Sequence, residues 1–83
     1  MEVSNIRKST QKNKLYMADV VYNGKSYKNQ HFGDDRYQHY KDSTPLKLYS
    51  YLNHNDLDRR RLFHSRNKNN TGISYMLCLE FLW

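Results

Sequence analysis

The dipeptide Asn23-Gly24 constrains the fold of this 83-residue chain more than any other feature of the sequence. It separates two runs rich in strand-forming residues, LYMADVVY at 15–22 and SYKNQHF at 26–32. Asn-Gly between two such runs is a strong signal of a β-hairpin, because the two-residue turn requires positive φ at both of its residues. An isolated hairpin is barely stable in water, so the rest of the chain must cover one of its faces.

The alternation of side chains in the first run indicates how that strand is oriented. Successive side chains of a strand point to opposite faces, so Tyr16, Ala18 and Val20 share one face. The other apolar residues of the run share the opposite face only if a β-bulge interrupts the strand. Residues 1–13 are polar and basic without a sustained period, and we expect them to form a flexible arm.

Two helix starts follow the hairpin. Thr44-Pro45 predicts a helix of about two turns, because Thr44 can cap it and Pro45 fits the first helical position, where its missing N–H costs nothing. A second helix is expected to begin with Asn55 as its N-cap, to place Asp58 in its first turn, and to end at residue 66 or 67. The apolar side chains of this helix that are expected to face the core are Leu57, Leu62 and Phe63.

The last eleven residues, ISYMLCLEFLW, are the most apolar part of the chain. Continuous apolarity does not separate a strand from a buried helix. We interpret the segment as a short helix capped by Thr71 or Ser74, with a strand as the alternative. Its end is expected to fill the core, to dock on another protein, or to do both; the residues concerned are Phe81, Leu82 and Trp83.

These elements predict an α+β fold. We expect a flexible basic arm over residues 1–13 and a single compact domain over 14–83, in which an N-terminal β-hairpin packs with two or three short helices. Leu, Ile, Val and Phe make up only about a fifth of the chain, near the level at which disorder sets in, although eight tyrosines add large apolar rings. So short a chain is marginal alone, and a partner surface or an oligomer is expected to support it.

The net charge of +6 and the isoelectric point near 9.6 favour acidic partners, which include nucleic acid, anionic membranes and acidic protein surfaces. A membrane span is not expected, because no stretch approaches the roughly 18 apolar residues that a span needs, and no signal peptide is recognisable. Cys78 is the only cysteine. It argues against a disulfide and a thiolate metal site, and it indicates a buried structural thiol in a reducing compartment.

Two sets of residues invite an enzymatic interpretation, and both have a simpler one. A hairpin followed by a helix, with His31, His39, Asn55 and His64, loosely resembles a one-metal ββα nuclease, but the usual acid–histidine pair on the first strand is missing. The carboxylates of the turn-rich segment fit turn formation and ion pairing; they are Asp34, Asp35 and Asp42. We therefore expect no catalysis, no metal and no cofactor.

Nucleic-acid binding has support from the second helix. Arginines at 59–61 and 66, with nearby lysines and tyrosines, could contact phosphates and stack on bases. The lysines concerned are Lys12, Lys14, Lys25 and Lys28. Two aspartates, Asp56 and Asp58, share the helix and dilute its positive field. Consecutive helical residues point about 100° apart, so at least one arginine is expected to pair with an aspartate.

The middle of the chain, from residue 32, reads FGDDRYQHYKDSTPLKLYSYLNHNDLDRRRLFHSRN. Its recognisable motifs are Phe32-Gly33, Tyr37, Tyr40, Lys41-Asp42, Asn53-His54-Asn55-Asp56, Arg59-Arg60 and the closing Leu82-Trp83. With the strand pair before them, these motifs resemble a family of small basic proteins encoded by large nucleocytoplasmic DNA viruses. That family is largely without known activity, so the resemblance implies a viral origin rather than a reaction.

The resemblance, the small core and the basic character together predict a virion structural protein, a minor capsid or cement component that acts through protein–protein contacts. We expect it in the virion, and in the host cytoplasm during assembly, with other viral structural proteins as its partners. Interfaces favour Tyr, Trp and Arg as anchors. The side chains expected to bind a partner are Tyr37, Tyr40, Arg59, Arg60, Arg61, Phe81, Leu82 and Trp83. A small basic nucleic-acid-binding viral protein is the alternative.

Overall fold

Three antiparallel strands form the sheet on which the rest of the chain packs. The computed structural model describes all 83 residues. Strand β1 spans Glu2–Lys8, β2 spans Tyr16–Tyr22 and β3 spans Lys25–Phe32, and they lie in the order β1-β2-β3. Asn23 and Gly24 join β2 to β3 with φ values of 52° and 76°. The predicted hairpin is therefore confirmed, and both turn residues have the positive φ that the prediction required.

Strand β1 corrects the prediction of a flexible arm over residues 1–13. Val3 pairs with Val20 of β2, and Val3 and Ile6 pack partly buried against the core. The pairing is irregular between Ser4 and Arg7, and Asn5 takes a φ of 54° there. Because this bulge interrupts the alternation of side chains, the strand shows no regular period in the sequence.

The face of β2 that packs on the core is the predicted one. Tyr16, Ala18 and Val20 are each at most 2% exposed. The register between β2 and β3 shifts between Ala18 and Val20, where Asn29 of β3 takes a φ of 55°. A β-bulge thus lies next to the middle of β2, although its extra residue belongs to the partner strand.

Two α-helices follow the sheet, α1 over Leu57–Arg66 and α2 over Ile73–Phe81. The helical interpretation of the C-terminal segment is confirmed, but its cap is different. Gly72 occupies the N-cap position and makes no side-chain hydrogen bond there, so neither Thr71 nor Ser74 caps α2. Ser74 instead donates a hydrogen bond of 2.7 Å to the main-chain oxygen of His31 and ties α2 to β3. A three-stranded antiparallel sheet with two helices is an α+β domain, as predicted.

The core is small and lies between the hairpin and the end of α2. Seven apolar side chains are buried: Leu15, Tyr16, Ala18, Val20, Phe32, Leu77 and Leu82. Aromatic contacts fill much of it, because the Tyr16 ring centroid lies 5.8 Å from that of Phe32 and 5.2 Å from that of Tyr49. Neither helix has the length and apolar character that a transmembrane span requires.

The helix predicted to start at Thr44-Pro45 does not form. Only a single 3-10 turn, Ser50–Leu52, appears in this region. In a helix, the N–H groups of Leu48 and Tyr49 would donate to carbonyls four residues earlier. They donate instead to the Tyr16 hydroxyl at 2.9 Å and to the Asp42 carboxylate at 3.1 Å. Long-range side-chain acceptors therefore replace the helical ladder.

Helix α1 starts one residue later than predicted and buries less. Asp56 is the N-cap, since its carboxylate accepts hydrogen bonds from the N–H groups of Asp58 and Arg59 at 2.9 and 3.2 Å. No residue of α1 is fully buried. Leu57 and Leu62 are 61% and 51% exposed, which contradicts the prediction that they face the core. Only the face that carries Phe63 packs inward, so α1 lies at the edge of the domain.

Candidate functional site

A buried carboxylate fixes the loop formed by residues 43–52. Asp42 is 1% exposed. It accepts hydrogen bonds from the hydroxyl and N–H of Thr44 at 2.6 and 3.0 Å, from the Tyr16 hydroxyl at 2.5 Å and from the N–H of Tyr49 at 3.1 Å. Burial acts to raise the pKa of Asp42, but these hydrogen bonds outweigh it and leave the pKa below its ordinary value. The group is therefore an ionised, fully bonded anchor.

The phenol of Tyr16 completes this buried network. Burial first, and the hydrogen bond to Asp42 second, raise the pKa of Tyr16 to about 12. The hydroxyl consequently stays protonated at neutral pH, donating to Asp42 while it accepts the N–H of Leu48. The sequence gives one local hint of the network, because Asp at the head of Asp42-Ser43-Thr44 is typical of an Asx-turn. Nothing local indicates that Tyr16 joins it.

The loop that Asp42 and Tyr16 hold has some apolar side chains outside, although Tyr49 and Leu52 pack against the core. Leu46, Leu48 and Tyr51 are 42%, 49% and 74% exposed, and Leu57 at the start of α1 is 61% exposed. We call these four side chains the outer apolar surface. All come from one stretch of twelve residues, 46–57. They are residues that the sequence-based list of partner-binding side chains missed, since the predicted helix placed the leucines inward.

The two tyrosines predicted to bind a partner differ in their surroundings. Tyr37 is 68% exposed and lies in an irregular loop. Tyr40 is half-buried: the guanidinium of Arg60 lies 5.0 Å from its ring centroid, and the His54 ring packs edge-on at 6.1 Å. Tyr37 is thus available to a partner, whereas Tyr40 mainly supports the side chains around it.

The three consecutive arginines diverge, and each has a different role. Arg59 donates to the side-chain oxygen of Gln38 at 2.9 Å. Arg60 donates to the main-chain oxygen of Trp83 at 2.6 Å and so joins α1 to the end of the chain. Arg61 is 79% exposed and pairs with Asp58 at 3.5 Å, which is the arginine–aspartate pairing that the sequence predicted. The run is therefore not a single basic face.

The closing residues belong to the folded body of the protein. Leu82 is 2% exposed, and its main-chain oxygen accepts the N–H of Lys41 at 3.1 Å. Phe81 packs on Phe32 with ring centroids 5.9 Å apart. Leu82 is therefore not accessible to a partner, which corrects its place among the predicted contact residues, and Phe81 is only partly accessible.

Trp83 belongs to a row of three rings. Its ring stacks on Phe63 with centroids 4.2 Å apart and an interplanar angle of 4°, and Phe63 in turn stacks on Tyr75 at 5.9 Å and 28°. We call Trp83, Phe63 and Tyr75 the aromatic row. The aromatic row connects α1, which carries Phe63, to α2, which carries Tyr75. These contacts matter for the position of α1, since no residue of α1 is fully buried. All three rings are half-buried, so each keeps part of its surface open.

A groove of about 560 Å³ runs beside the aromatic row. Its walls come from α1, α2, the end of β3, the loop at residues 33–39 and the segment that precedes β2. Besides the aromatic row, its lining includes Lys14, Asp34, Tyr37, His39, Arg59, Arg66 and Cys78. The 33–39 loop is held to the turn before β2 by the N–H of Asp35, which donates to the main-chain oxygen of Asn13 at 3.1 Å. The groove is thus built by segments far apart in sequence.

The charge of this groove is predominantly positive. Lys14, Arg59 and Arg66 form no ion pair. The one carboxylate of the lining, Asp34, is bound at 2.7 and 3.0 Å by the guanidinium of Arg36, and these bonds lower the pKa of Asp34 to about 2. Arg36 binds Asp34, which also interacts electrostatically with Lys14, so the lining holds three cations and one carboxylate that is shared with Arg36.

Two titratable groups of the lining, His39 and Cys78, are held in their neutral forms by burial. His39 is 3% exposed, and its Nε2 donates to the Oδ1 of Asn53 at 2.8 Å, because that oxygen also accepts the N–H of Asp42. Its Nδ1 has no hydrogen-bond partner. Burial lowers the pKa of His39 and raises the pKa of the Cys78 thiol. Both groups are therefore neutral at neutral pH.

The other histidines also have structural roles. His31 contacts the Ser9 hydroxyl through its Nδ1 at 2.7 Å, and the His64 Nε2 lies 3.0 Å from the main-chain oxygen of Trp83. His54 accepts the N–H of Asp56 through its Nδ1 at 2.9 Å. No three side chains of His, Cys, Asp or Glu lie close enough together to hold a metal ion.

Comparison with known proteins gives no further information on this site. No protein-family model, no curated protein and no solved structure matches the chain. The function must therefore be inferred from the side chains themselves.

Proposed function

We propose that this chain is a structural protein of a virus particle, a minor capsid or cement component that acts through protein–protein contacts and not as an enzyme. The contact function is supported above all by the outer apolar surface. Four large side chains there are between 42% and 74% exposed, and three of them lie on a loop whose backbone is held by Asp42 and Tyr16. Apolar side chains in a rigid setting are typical of contact surfaces, because little entropy is lost when a partner covers them.

The small core supports the same proposal. Only ten of 83 residues are buried, and three of these are polar or charged. A domain with so little buried apolar surface gains much of its stability when a neighbour covers further apolar side chains. The viral setting rests on the resemblance of residues 15–83 to small basic proteins of large DNA viruses. On this proposal the protein is found in the virion, and in the host cytoplasm during assembly.

The partner is expected to be a neighbouring structural protein with an acidic surface. The chain carries a net charge of +6. Two basic side chains flank the outer apolar surface in sequence, Lys47 within the loop and Arg61 on α1, and both are exposed. Charges at the rim of an interface mainly select the partner and speed its encounter, while the apolar side chains supply the affinity.

The experiment is quantitative mass spectrometry of intact, nuclease-treated particles from an infection with a virus that encodes this chain. We expect the protein at a fixed ratio to the other capsid proteins. The double variant Leu48→Ser, Tyr51→Ser should enter particles at least about tenfold less, because it removes two apolar anchors. Absence of the wild-type protein from intact particles would overturn the proposal.

The matched control is Val21→Thr. Val21 is 41% exposed, but it lies on β2 next to the hairpin turn rather than in the outer apolar surface. Its incorporation should equal that of the wild type. Circular dichroism of each purified variant checks that the fold is intact, so a loss of incorporation can be assigned to the lost contact. Equal incorporation of all three proteins would contradict the role of the outer apolar surface.

A further inference from the structure

We propose that the groove beside the aromatic row binds a nucleotide, with the phosphate held by Lys14, Arg59 and Arg66 and the base placed against Tyr75. This inference goes beyond the proposed structural role, since the groove and the outer apolar surface share no residue. The nucleotide can come from two sources, a free mononucleotide or a unit of a single-stranded nucleic acid, and both offer the same chemistry to the groove.

The cations provide the first argument. Lys14 precedes β2, and Arg59 and Arg66 lie two turns apart on α1, yet all three line the same groove. None of them is paired with a carboxylate. A group of like charges is unfavourable unless anions compensate it, and the one carboxylate of the lining, Asp34, is shared with Arg36. Two guanidinium groups with their forked N–H donors suit the oxygens of a phosphate particularly well.

The aromatic row provides the second argument. Phe63 stacks on Trp83 with an interplanar angle of 4° and on Tyr75 with an angle of 28°, so the three rings form one aromatic surface beside the groove. Tyr75 is half-buried and lines the groove, so part of its ring is open to a ligand. A base stacked on such a ring gains about 1–3 kcal/mol in single-stranded nucleic-acid complexes. The exposed ring of Tyr37 lies at the same groove and offers a second stacking surface.

The size of the groove agrees with this ligand. Its volume of about 560 Å³ lies within the range of about 300–1,000 Å³ that is typical of small-molecule sites. An acidic peptide would satisfy the three cations, but its carboxylate side chains carry no ring for the aromatic row. Cations and aromatic rings together therefore favour a nucleotide over an acidic peptide.

The test is binding of adenosine monophosphate and of a short single-stranded oligodeoxynucleotide to the full chain. Trp83 is the only tryptophan and lines the groove, so its fluorescence reports occupancy directly, and calorimetry measures the affinity. Ribose 5-phosphate, which has the phosphate without the base, and poly-glutamate, which has the charge alone, serve as competing probes. Binding of the oligonucleotide without the mononucleotide assigns the source to single strands; binding of both assigns it to either.

Two arginine variants on the same helix localise the site. Arg66→Gln removes a lining cation that makes no hydrogen bond or ion pair within the protein, so the fold should be unaffected. We expect it to weaken nucleotide binding about five- to tenfold, and to lower the slope of log affinity against log salt for the oligonucleotide by about 0.7. Arg61→Gln is the matched control, because Arg61 is 79% exposed and does not line the groove. It should leave the affinity unchanged.

A third variant examines the stacking. Tyr75→Leu keeps an apolar side chain but removes the ring, so it should weaken adenosine monophosphate several-fold and leave ribose 5-phosphate unchanged. Four results would each overturn the proposal: no saturable binding of either nucleotide probe, equal affinity for ribose 5-phosphate and adenosine monophosphate, binding of poly-glutamate as tight as that of the oligonucleotide, or equal losses from Arg66→Gln and Arg61→Gln.

Discussion

Replacing Asp42 by asparagine changes the charge of the buried network without changing its shape. One carboxylate oxygen accepts both donors of Thr44, and the other accepts the Tyr16 hydroxyl and the N–H of Tyr49. An amide has one accepting oxygen and one donating NH2 group. In either orientation of the amide, a backbone N–H, from Thr44 or from Tyr49, faces another donor. Hydroxyl groups can turn to accept, but a backbone N–H cannot.

The expected loss follows from these contacts. A buried donor without an acceptor costs about 1–3 kcal/mol, and each remaining hydrogen bond weakens by about 0.5–1 kcal/mol when the charge is lost. With three remaining hydrogen bonds, these contributions amount to about 2.5–6 kcal/mol. A domain of this length has a total unfolding free energy of about 4–12 kcal/mol, at about 0.05–0.15 kcal/mol per residue. Asp42→Asn should therefore bring the protein close to the limit of folding.

Urea unfolding, followed by far-UV circular dichroism and by the fluorescence of Trp83, measures this loss. Asp58→Asn is the control: Asp58 is 84% exposed and pairs only with Arg61, at 3.5 Å. Its removal should change the unfolding free energy by less than about 1 kcal/mol. If Asp42→Asn destabilises the protein no more than Asp58→Asn does, the buried network does not hold the 43–52 loop.

The pH dependence of the same pair of proteins gives an independent check. The pKa of Asp42 in the folded protein lies below its ordinary value of 3.8. As the pH falls, the unfolded state therefore takes up this proton first, and the stability that Asp42 contributes above pH 3.8 is lost as the pH falls through the folded pKa. The difference in unfolding free energy between the wild type and Asp42→Asn should shrink in acid. A constant difference would contradict the depressed pKa.

Two further predictions concern Gly33 and His39. Gly33→Ala should lower the melting temperature more than Gly24→Ala. Both positions have positive φ, which costs about 1–2 kcal/mol, but only at Gly33 would the new Cβ lie 2.9 Å from the Leu15 side chain, which adds about 1–3 kcal/mol. Equal shifts of the melting temperature would refute the clash. Burial holds the pKa of His39 below 6.5, so the unfolded state takes up the proton first as the pH falls. The unfolding free energy should therefore fall as the pH drops below 6.5, and it should fall less steeply in His39→Gln. If chemical unfolding gives the same dependence of unfolding free energy on pH for both proteins, the prediction is wrong.

The sequence predicted those parts of the fold that local interactions decide. The hairpin depends on the φ preferences of Asn23 and Gly24, and the pairing of Arg61 depends on Asp58 three residues away on the same helix. The loop at 43–52 was not predictable in this way. Thr44-Pro45 is a sound helix start, but Tyr16, far away in the sequence, accepts the N–H of Leu48 that the helix would need. Strand β1 was missed because its pairing with β2 is also non-local.

The candidate sites were predicted only in part, for the same reason. Arg59 was expected to bind a partner, and it lines the groove. Lys14 was predicted to contact phosphates together with Arg59 and Arg66, and it lines the same groove. Tyr75 comes from a segment that only the folded chain brings to Arg59, and nothing in the sequence indicates that proximity. The outer apolar surface was missed because the direction of the Leu46 and Leu48 side chains depends on where the loop backbone finds its hydrogen-bond acceptors.

The position of Leu77 and Leu82 in the core has a consequence for synthesis of the chain. The hairpin that they cover is complete by residue 32, but the side chains that cover its apolar face are translated some fifty residues later. During translation the nascent chain therefore exposes Tyr16 and Phe32 until residue 82 has left the ribosome. A premature stop a few codons before Leu82 should yield a chain that aggregates or is degraded, even though every strand is present.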